Sequence, residues 1–156
     1  MTFLRGLSMV IGVMFLQWWW NTHLAYWGIA PQFLFALSIL VASRRGPVAA
    51  MLLAWTWGLY ADTLRADLFG ANALLYTLAA YFAGNVRRQM DLRAVGPLVT
   101  AVFILSILHS VMLGLIGTLF AKSFFWVGWS SFLVAPFLNA FVAAIGALIW
   151  EVWGNG

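Results

Sequence analysis

Apolar runs interrupted by short clusters of charge, glycine and proline divide the chain into six stretches, at about residues 3–20, 28–43, 47–61, 71–86, 95–120 and 130–150. A membrane-crossing helix takes about 20 mostly apolar residues, so a chain of 156 residues has room for six or seven such helices and no separate soluble domain. The pattern predicts an all-α, polytopic membrane protein. Its expected form is a compact bundle of six transmembrane helices, with residues 1–156 as a single integral membrane domain.

The second and third stretches are short, spanning about 22 to 24 Å at a rise of 1.5 Å per residue. They undershoot a hydrocarbon core of about 30 Å. Two arrangements are open: two full spans sheltered by longer neighbours, or a re-entrant hairpin. The hairpin would carry Arg44 and Arg45 toward the midplane at about 2.5 to 3.5 kcal/mol each. Local thinning or shelter costs less, which favours two spans. Arg44-Arg45-Gly46-Pro47 also suits a tight turn, since glycine relieves a helix end and proline fits the first turn of the next helix.

Charge then sets the orientation. Six spans put both termini on one side. If that side is cytoplasmic, Arg5, Arg44, Arg45, Arg87, Arg88 and Arg93 lie inside and only Arg65 and Lys122 outside, as the positive-inside rule requires. The same orientation sends Trp18, Trp19, Trp20, Trp27, Trp55, Trp57, Trp126 and Trp129 toward the outer face, where an aromatic belt is expected, and leaves Trp150 and Trp153 at the inner one. The start of the chain, Arg5 followed by an apolar run to Leu16, has the layout of a secretory signal. The residues after Trp20 fit a cleavage site poorly, so an uncleaved first span is expected.

Composition narrows the class. Hydrophobic residues make up 65% of the chain and charged residues 8%, against about 45 to 50% apolar usage in soluble domains. Cysteine is absent, which removes disulfides, thiolate nucleophiles and zinc-thiolate sites. The net charge of +4 comes from eight scattered basic residues that form no stripe for nucleic acid.

Helices pack in lipid where small residues let backbones approach. Ala50, Ala54 and Gly58 recur every four residues in the third stretch, and Asp62 is next in that register. Ser106, Ser110, Gly114 and Thr118 mark the fifth stretch, Ala80 and Gly84 the fourth, Asn139, Ala143 and Ala147 the sixth, and Ser8 and Gly12 the first. Most of these ridges are expected to face helices of the same chain, with one available to another protein's helix.

The segment from Trp57 to Gly70 gathers Asp62, Arg65 and Asp67, two of the four acidic residues of the chain among them. An ionised group near lipid needs water, a partner or a structural reason. A catalytic carboxylate pair would need a substrate site and a metal or base nearby. The plainer reading is an ion pair with Arg65 combined with helix capping, in which Asp67 or Asn72 caps the fourth helix and Asp62 fixes the turn. His109, near the middle of the longest stretch, is expected to be neutral and bonded to a serine or a backbone carbonyl. His-Glu-x-x-His, Gly-x-Ser-x-Gly and Walker motifs are all missing. Ser130, Ser131 and His109 make only a weak serine-histidine pairing, since no oxyanion-hole glycines surround Ser131. Neither an enzyme nor a metal site or other cofactor is expected.

The central third carries a more specific signal. Pro31, Arg44-Arg45-Gly46, the segment Trp57-Gly58-Leu59-Tyr60-Ala61-Asp62, then Asp67-Leu68-Phe69-Gly70-Ala71-Asn72-Ala73-Leu74 and Tyr81-Phe82-Ala83-Gly84 resemble the rod shape-determining protein MreD family. The chain departs from that pattern in its wealth of tryptophan and its short loop before Pro31. The resemblance implies a multi-pass protein of the bacterial inner (cytoplasmic) membrane, without catalytic activity, in the elongation machinery that builds lateral peptidoglycan. Implied partners are MreC through its membrane helix, the actin-like MreB, a RodA-type glycan polymerase and its penicillin-binding transpeptidase. Gly58, Asp62, Arg65, Asp67, Gly70, Asn72, Tyr81 and Gly84 become the turn and partner-binding candidates, and Ala50, Ala54, Ser106, Ser110 and Gly114 the packing candidates. The six-helix layout is also similar to the vitamin-binding S components of energy-coupling-factor transporters. That alternative predicts an outer pocket rich in polar handles, which the scarcity of Asn, Gln, Glu and Lys disfavours.

Overall fold

A computed structural model describes residues 2–24, 29–64, 68–126 and 128–154. The six apolar stretches form six α-helices: α1 (Thr2–His23), α2 (Phe33–Arg45), α3 (Pro47–Thr63), α4 (Ala71–Val86), α5 (Val95–Ala121) and α6 (Trp129–Gly154). No strand occurs among the described residues. The expected boundaries hold to within a few residues except at α2, which begins at Phe33 and not near residue 28. Pro31 is the cause: its ring disfavours helical backbone at the residue before it. The Gln32 N–H is instead donated to Asn139 Oδ1 of α6 at 2.7 Å.

Helices α5 and α6 are long and apolar enough to cross a membrane by themselves, over Val95–Ala121 and Trp129–Val152. The 13, 17 and 16 residues of α2, α3 and α4 are fewer than a lone span needs. Packing shows how α2 is accommodated. It contacts all five other helices, and every residue from Leu34 to Leu40 is buried. Its polar side chains are satisfied within the helix, Ser38 Oγ donating to Phe35 O and Ser43 Oγ to Leu40 O, each at 2.7 Å. A helix surrounded on all sides meets protein rather than lipid, so its length need not match the bilayer. Its C-terminal arginines lie at an end of the bundle: Arg44 pairs with Glu151 at 3.4 Å and the Arg45 guanidinium sits 5.8 Å from the Trp150 ring centre, both near the C-terminus of α6.

The closest pair is α3 with α4. Ala50, Ala54 and Gly58 are buried, and a Cβ built on Gly58 would overlap the backbone of Ala73. At the opposite end of the pair, a Cβ on Gly84 would come 2.7 Å from Pro47 Cβ. Both contacts bring backbone so near that only glycine fits. Ala143 and Ala147 are fully buried on α6.

Two packing expectations, at Gly114 and Thr118, are corrected, and the α1 ridge stays open, as the sequence allowed for one ridge. Gly114 admits no helix; its open side takes the ring of Phe124 from the segment after α5. Ser8 and Gly12 are exposed, and nothing lies within 4 Å of a Cβ built on Gly12. Thr118 is also exposed, so the α5 ridge is covered only as far as Gly114, with Ser106 buried and Ser110 half-buried. The aromatic belt needs one revision as well. Trp18, Trp19, Trp55, Trp126 and Trp129 are exposed, but Trp57 is part of the core; Trp27 lies outside the described residues.

Candidate functional site

Asp62 stands one residue before the end of α3, and only 3% of it is exposed. Its carboxylate accepts four hydrogen bonds. Oδ1 receives the backbone N–H of Asn72 at 3.0 Å and its side-chain Nδ2 at 2.9 Å, while Oδ2 receives the N–H of Gly70 at 3.0 Å and of Ala73 at 3.1 Å. The first turn of a helix has N–H groups without intrahelical acceptors. Here Asp62 takes those of Gly70, Asn72 and Ala73, and Leu68 O takes that of Ala71 at 3.2 Å. An anion at this position also meets the positive end of the α4 dipole.

The cap of α4 is therefore a side chain from the preceding helix. The expectation that Asn72 caps α4 is corrected: the N-cap position is Gly70, in left-handed backbone at φ 95°, and Asn72 lies in the first helical turn. Glycine is required at that angle because a Cβ would clash. Arg65 and Asp67 lie outside the described residues. The four donors fill the acceptor capacity of the Asp62 carboxylate without a cation.

Asn72 extends the arrangement to a third helix. Its Nδ2 donates to Asp62, so its Oδ1 faces His109 Nε2 at 3.1 Å, and His109 must be the donor there. The imidazole is 3% exposed and lies against Phe35 and Tyr76, with ring centres 5.1 and 5.5 Å away. A histidine donating into an amide that donates into a carboxylate polarises the whole series, which strengthens each bond. Asp62 of α3, Asn72 and Tyr76 of α4, His109 of α5 and Phe35 of α2 thereby meet at one place. His109 bonds to the side-chain amide of Asn72, a partner the sequence did not suggest.

A second set of buried polar groups ties α5 and α6 to the entry of α2. Asn139 Nδ2 donates to Ser106 Oγ at 3.0 Å while its Oδ1 accepts from Gln32 N. Ser110 Oγ donates back to Ser106 O at 3.2 Å. On α1, the buried Gln17 donates from Nε2 to Pro31 O at 3.1 Å and to Asn21 Oδ1 at 3.2 Å. Each bond joins segments far apart in sequence or braces one that does.

The structure thus brings Gly58, Asp62, Gly70 and Asn72 together and adds His109, for which the sequence suggested a serine or a backbone carbonyl as partner. Gly84 lies at the other end of the α3–α4 pair, and Tyr81 is exposed beside Phe82, away from the carboxylate. The bonds of Gln17 to Pro31 O and of the Gln32 N–H to Asn139 were missed; Gln17 and Asn139, polar positions inside otherwise apolar helices, were their only signal. Chemically the site is closed. A carboxylate engaged by four donors has no acceptor position left for a substrate proton, and among the described residues no three His, Asp or Glu are gathered as for a metal ion.

The family model described as rod shape-determining protein MreD matches residues 1–150. No curated protein and no solved structure gives a match.

Proposed function

The chain belongs to the MreD family, and we propose that it is a non-catalytic scaffold of the bacterial cell-elongation machinery that holds MreC by its membrane helix. The family's role is in rod-shape determination. The observation that supports a scaffold is the use made of the buried polar side chains: Asp62, Asn72, His109, Ser106 and Asn139 are bonded to one another or to helix termini. Groups that serve catalysis elsewhere here fix the relative positions of α2 to α6. A rigid set of helices presents a partner-binding face in one orientation, which is how association alone transmits position.

In this reading all six helices lie in the inner membrane with both termini cytoplasmic, α2 being sheltered by its neighbours. MreC is the direct partner, and MreB, a RodA-type glycan polymerase and its penicillin-binding transpeptidase complete the larger complex. Among the described residues Ser8 and Gly12 of α1 are exposed, and this is the face assigned to MreC. Co-purification of the full chain with a single-span MreC tests the proposal. Recovery of a stoichiometric complex is expected, and retention of a vitamin with no MreC would replace the scaffold by the S-component alternative.

A further inference from the structure

Helices α3 and α4 have 17 and 16 residues, about 25 Å at 1.5 Å per residue, whereas α5 and α6 have 27 and 26, about 40 Å. The two short helices run antiparallel in one register. Gly58 meets Ala73 toward one end of the pair and Gly84 meets Pro47 at the other, so α3 and α4 begin and end at nearly the same levels. They form one slab, about 5 Å thinner than the hydrocarbon core of a typical bilayer. Shelter by neighbours accounts for the buried α2 but not for this pair. Val48, Leu52 and Trp55 are exposed on α3, and Leu74, Leu78 and Phe82 on α4. Each row repeats at helical spacing, so each is a continuous outward face.

The side chains on these faces suit lipid and not another helix. Helices associate in a membrane where small residues admit a neighbouring backbone. In this pair such residues are already buried: Ala50, Ala54 and Gly58 on α3, Ala80 and Gly84 on α4. The outward rows are bulky, branched or aromatic, a surface for acyl chains. Length then selects among lipids. A helix longer than the bilayer tilts to fit, but one that is shorter cannot lengthen, and tilting makes its deficit worse. Helices α5 and α6 therefore adapt to thin and ordinary bilayers alike. Sliding does not relieve the short pair either. Arg45 directly precedes the Gly46 turn and Arg88 lies two residues after α4, both exposed, and a shift inward would carry these charges into hydrocarbon.

We infer that the α3–α4 flank selects phospholipids with short acyl chains, and that the protein holds the bilayer thinner there than beside α5 and α6. The selection is by hydrophobic length and not by headgroup. It rests on the reading that all six helices lie in the membrane, but not on the binding of MreC.

The chain has no cysteine, so a single introduced cysteine reports on one position. Leu52→Cys and Leu78→Cys mark the short flank, Leu108→Cys and Phe141→Cys the long one. All four side chains are exposed, and each lies within about a turn of the middle of its helix, which keeps depth comparable. The full chain, labelled with bimane, is reconstituted in dioleoylphosphatidylcholine vesicles that contain brominated dimyristoleoyl or brominated dierucoyl phosphatidylcholine as quencher. The short lipid should quench Leu52→Cys and Leu78→Cys about two- to threefold more effectively than the long one, relative to Leu108→Cys and Phe141→Cys. The same lipid preference on both flanks overturns the thin flank while the six spans stand. If neither lipid quenches Leu52→Cys and Leu78→Cys, the six-span reading falls and the inference falls with it. Quenching there that declines as more protein is added to the membrane means that a second copy covers the flank, which also overturns the inference. Thermal unfolding of the unmodified chain needs no variant: it should be higher in dimyristoleoyl than in dierucoyl vesicles, and an equal or reversed order overturns the selection.

Discussion

The Asp62 carboxylate and the Asn72 side chain meet at 2.9 Å across the α3–α4 turn, and the same carboxylate oxygen also accepts the Asn72 backbone N–H. One residue of α3 thus sets both where α4 begins and how its first polar side chain is aimed. Asn72 can present its oxygen to His109 only because Asp62 holds its nitrogen.

Removing that carboxylate should loosen α4 from its start. Asp62→Ala leaves three backbone N–H groups and the Asn72 amide without their acceptor, a loss of about 2 to 4 kcal/mol. Asp62→Asn keeps the shape but turns one acceptor into a donor facing other donors, so it should also destabilise. Thermal unfolding in detergent checks both, and recovery of MreC should fall with Asp62→Ala. An unchanged complex at normal protein levels would refute the role given to the turn.

The Asn72–His109 bond links α4 to α5, and a double-mutant cycle isolates it. With Asn72→Ala, His109→Ala and the pair, a coupling of about 0.6 kcal/mol is expected, rising toward about 1.7 if polarisation by Asp62 strengthens the bond. Repeating the cycle in the Asp62→Asn background should lower the coupling. A coupling that stays the same would show that the three residues do not act as a series.

Topology gives an independent measurement. A reporter fused after Arg45 should read cytoplasmic, and one inserted after Leu68 should read external, because the Gly46 and Gly70 turns lie at opposite ends of α3 and α4. An external reading after Arg45 would refute the six-span arrangement.

Much of this architecture is legible in the sequence. Charges, Gly46, Pro47 and Gly70 punctuate the apolar runs, so all six helices emerge, and the register Ala50, Ala54, Gly58, Asp62 is buried on α3 as its spacing implies. The partners of polar side chains are not legible. Asp62 bonds to residues eight to eleven positions away, and His109 to one thirty-seven away. Periodicity tells which face of a helix is buried but not which helix it meets. The second apolar run was read straight through Pro31 from about residue 28, and the helix start at Phe33 shows only once Gln32 is seen bonded to Asn139. Trp57 carried a misleading signal: its residue type favours an interface, while its place on the α3 ridge side put it in the core.

Two glycines separate internal packing from partner binding. At Gly58 a methyl group would overlap the backbone of Ala73, and backbone can yield only by moving α3 from α4, so Gly58→Ala should cost about 1 to 3 kcal/mol. At Gly12 a methyl group meets nothing within 4 Å, and Gly12→Ala should leave thermal unfolding unchanged or slightly improved, since alanine favours helix over glycine. Larger residues distinguish the two positions further. Gly12→Leu fills the groove through which a partner helix approaches α1 without touching the bundle itself, so it should lower MreC recovery while the protein folds normally. Loss of stability with Gly12→Leu would mean that α1 packs more closely than its exposure indicates. Full MreC recovery from a normally folded Gly12→Leu protein would move the partner to another face.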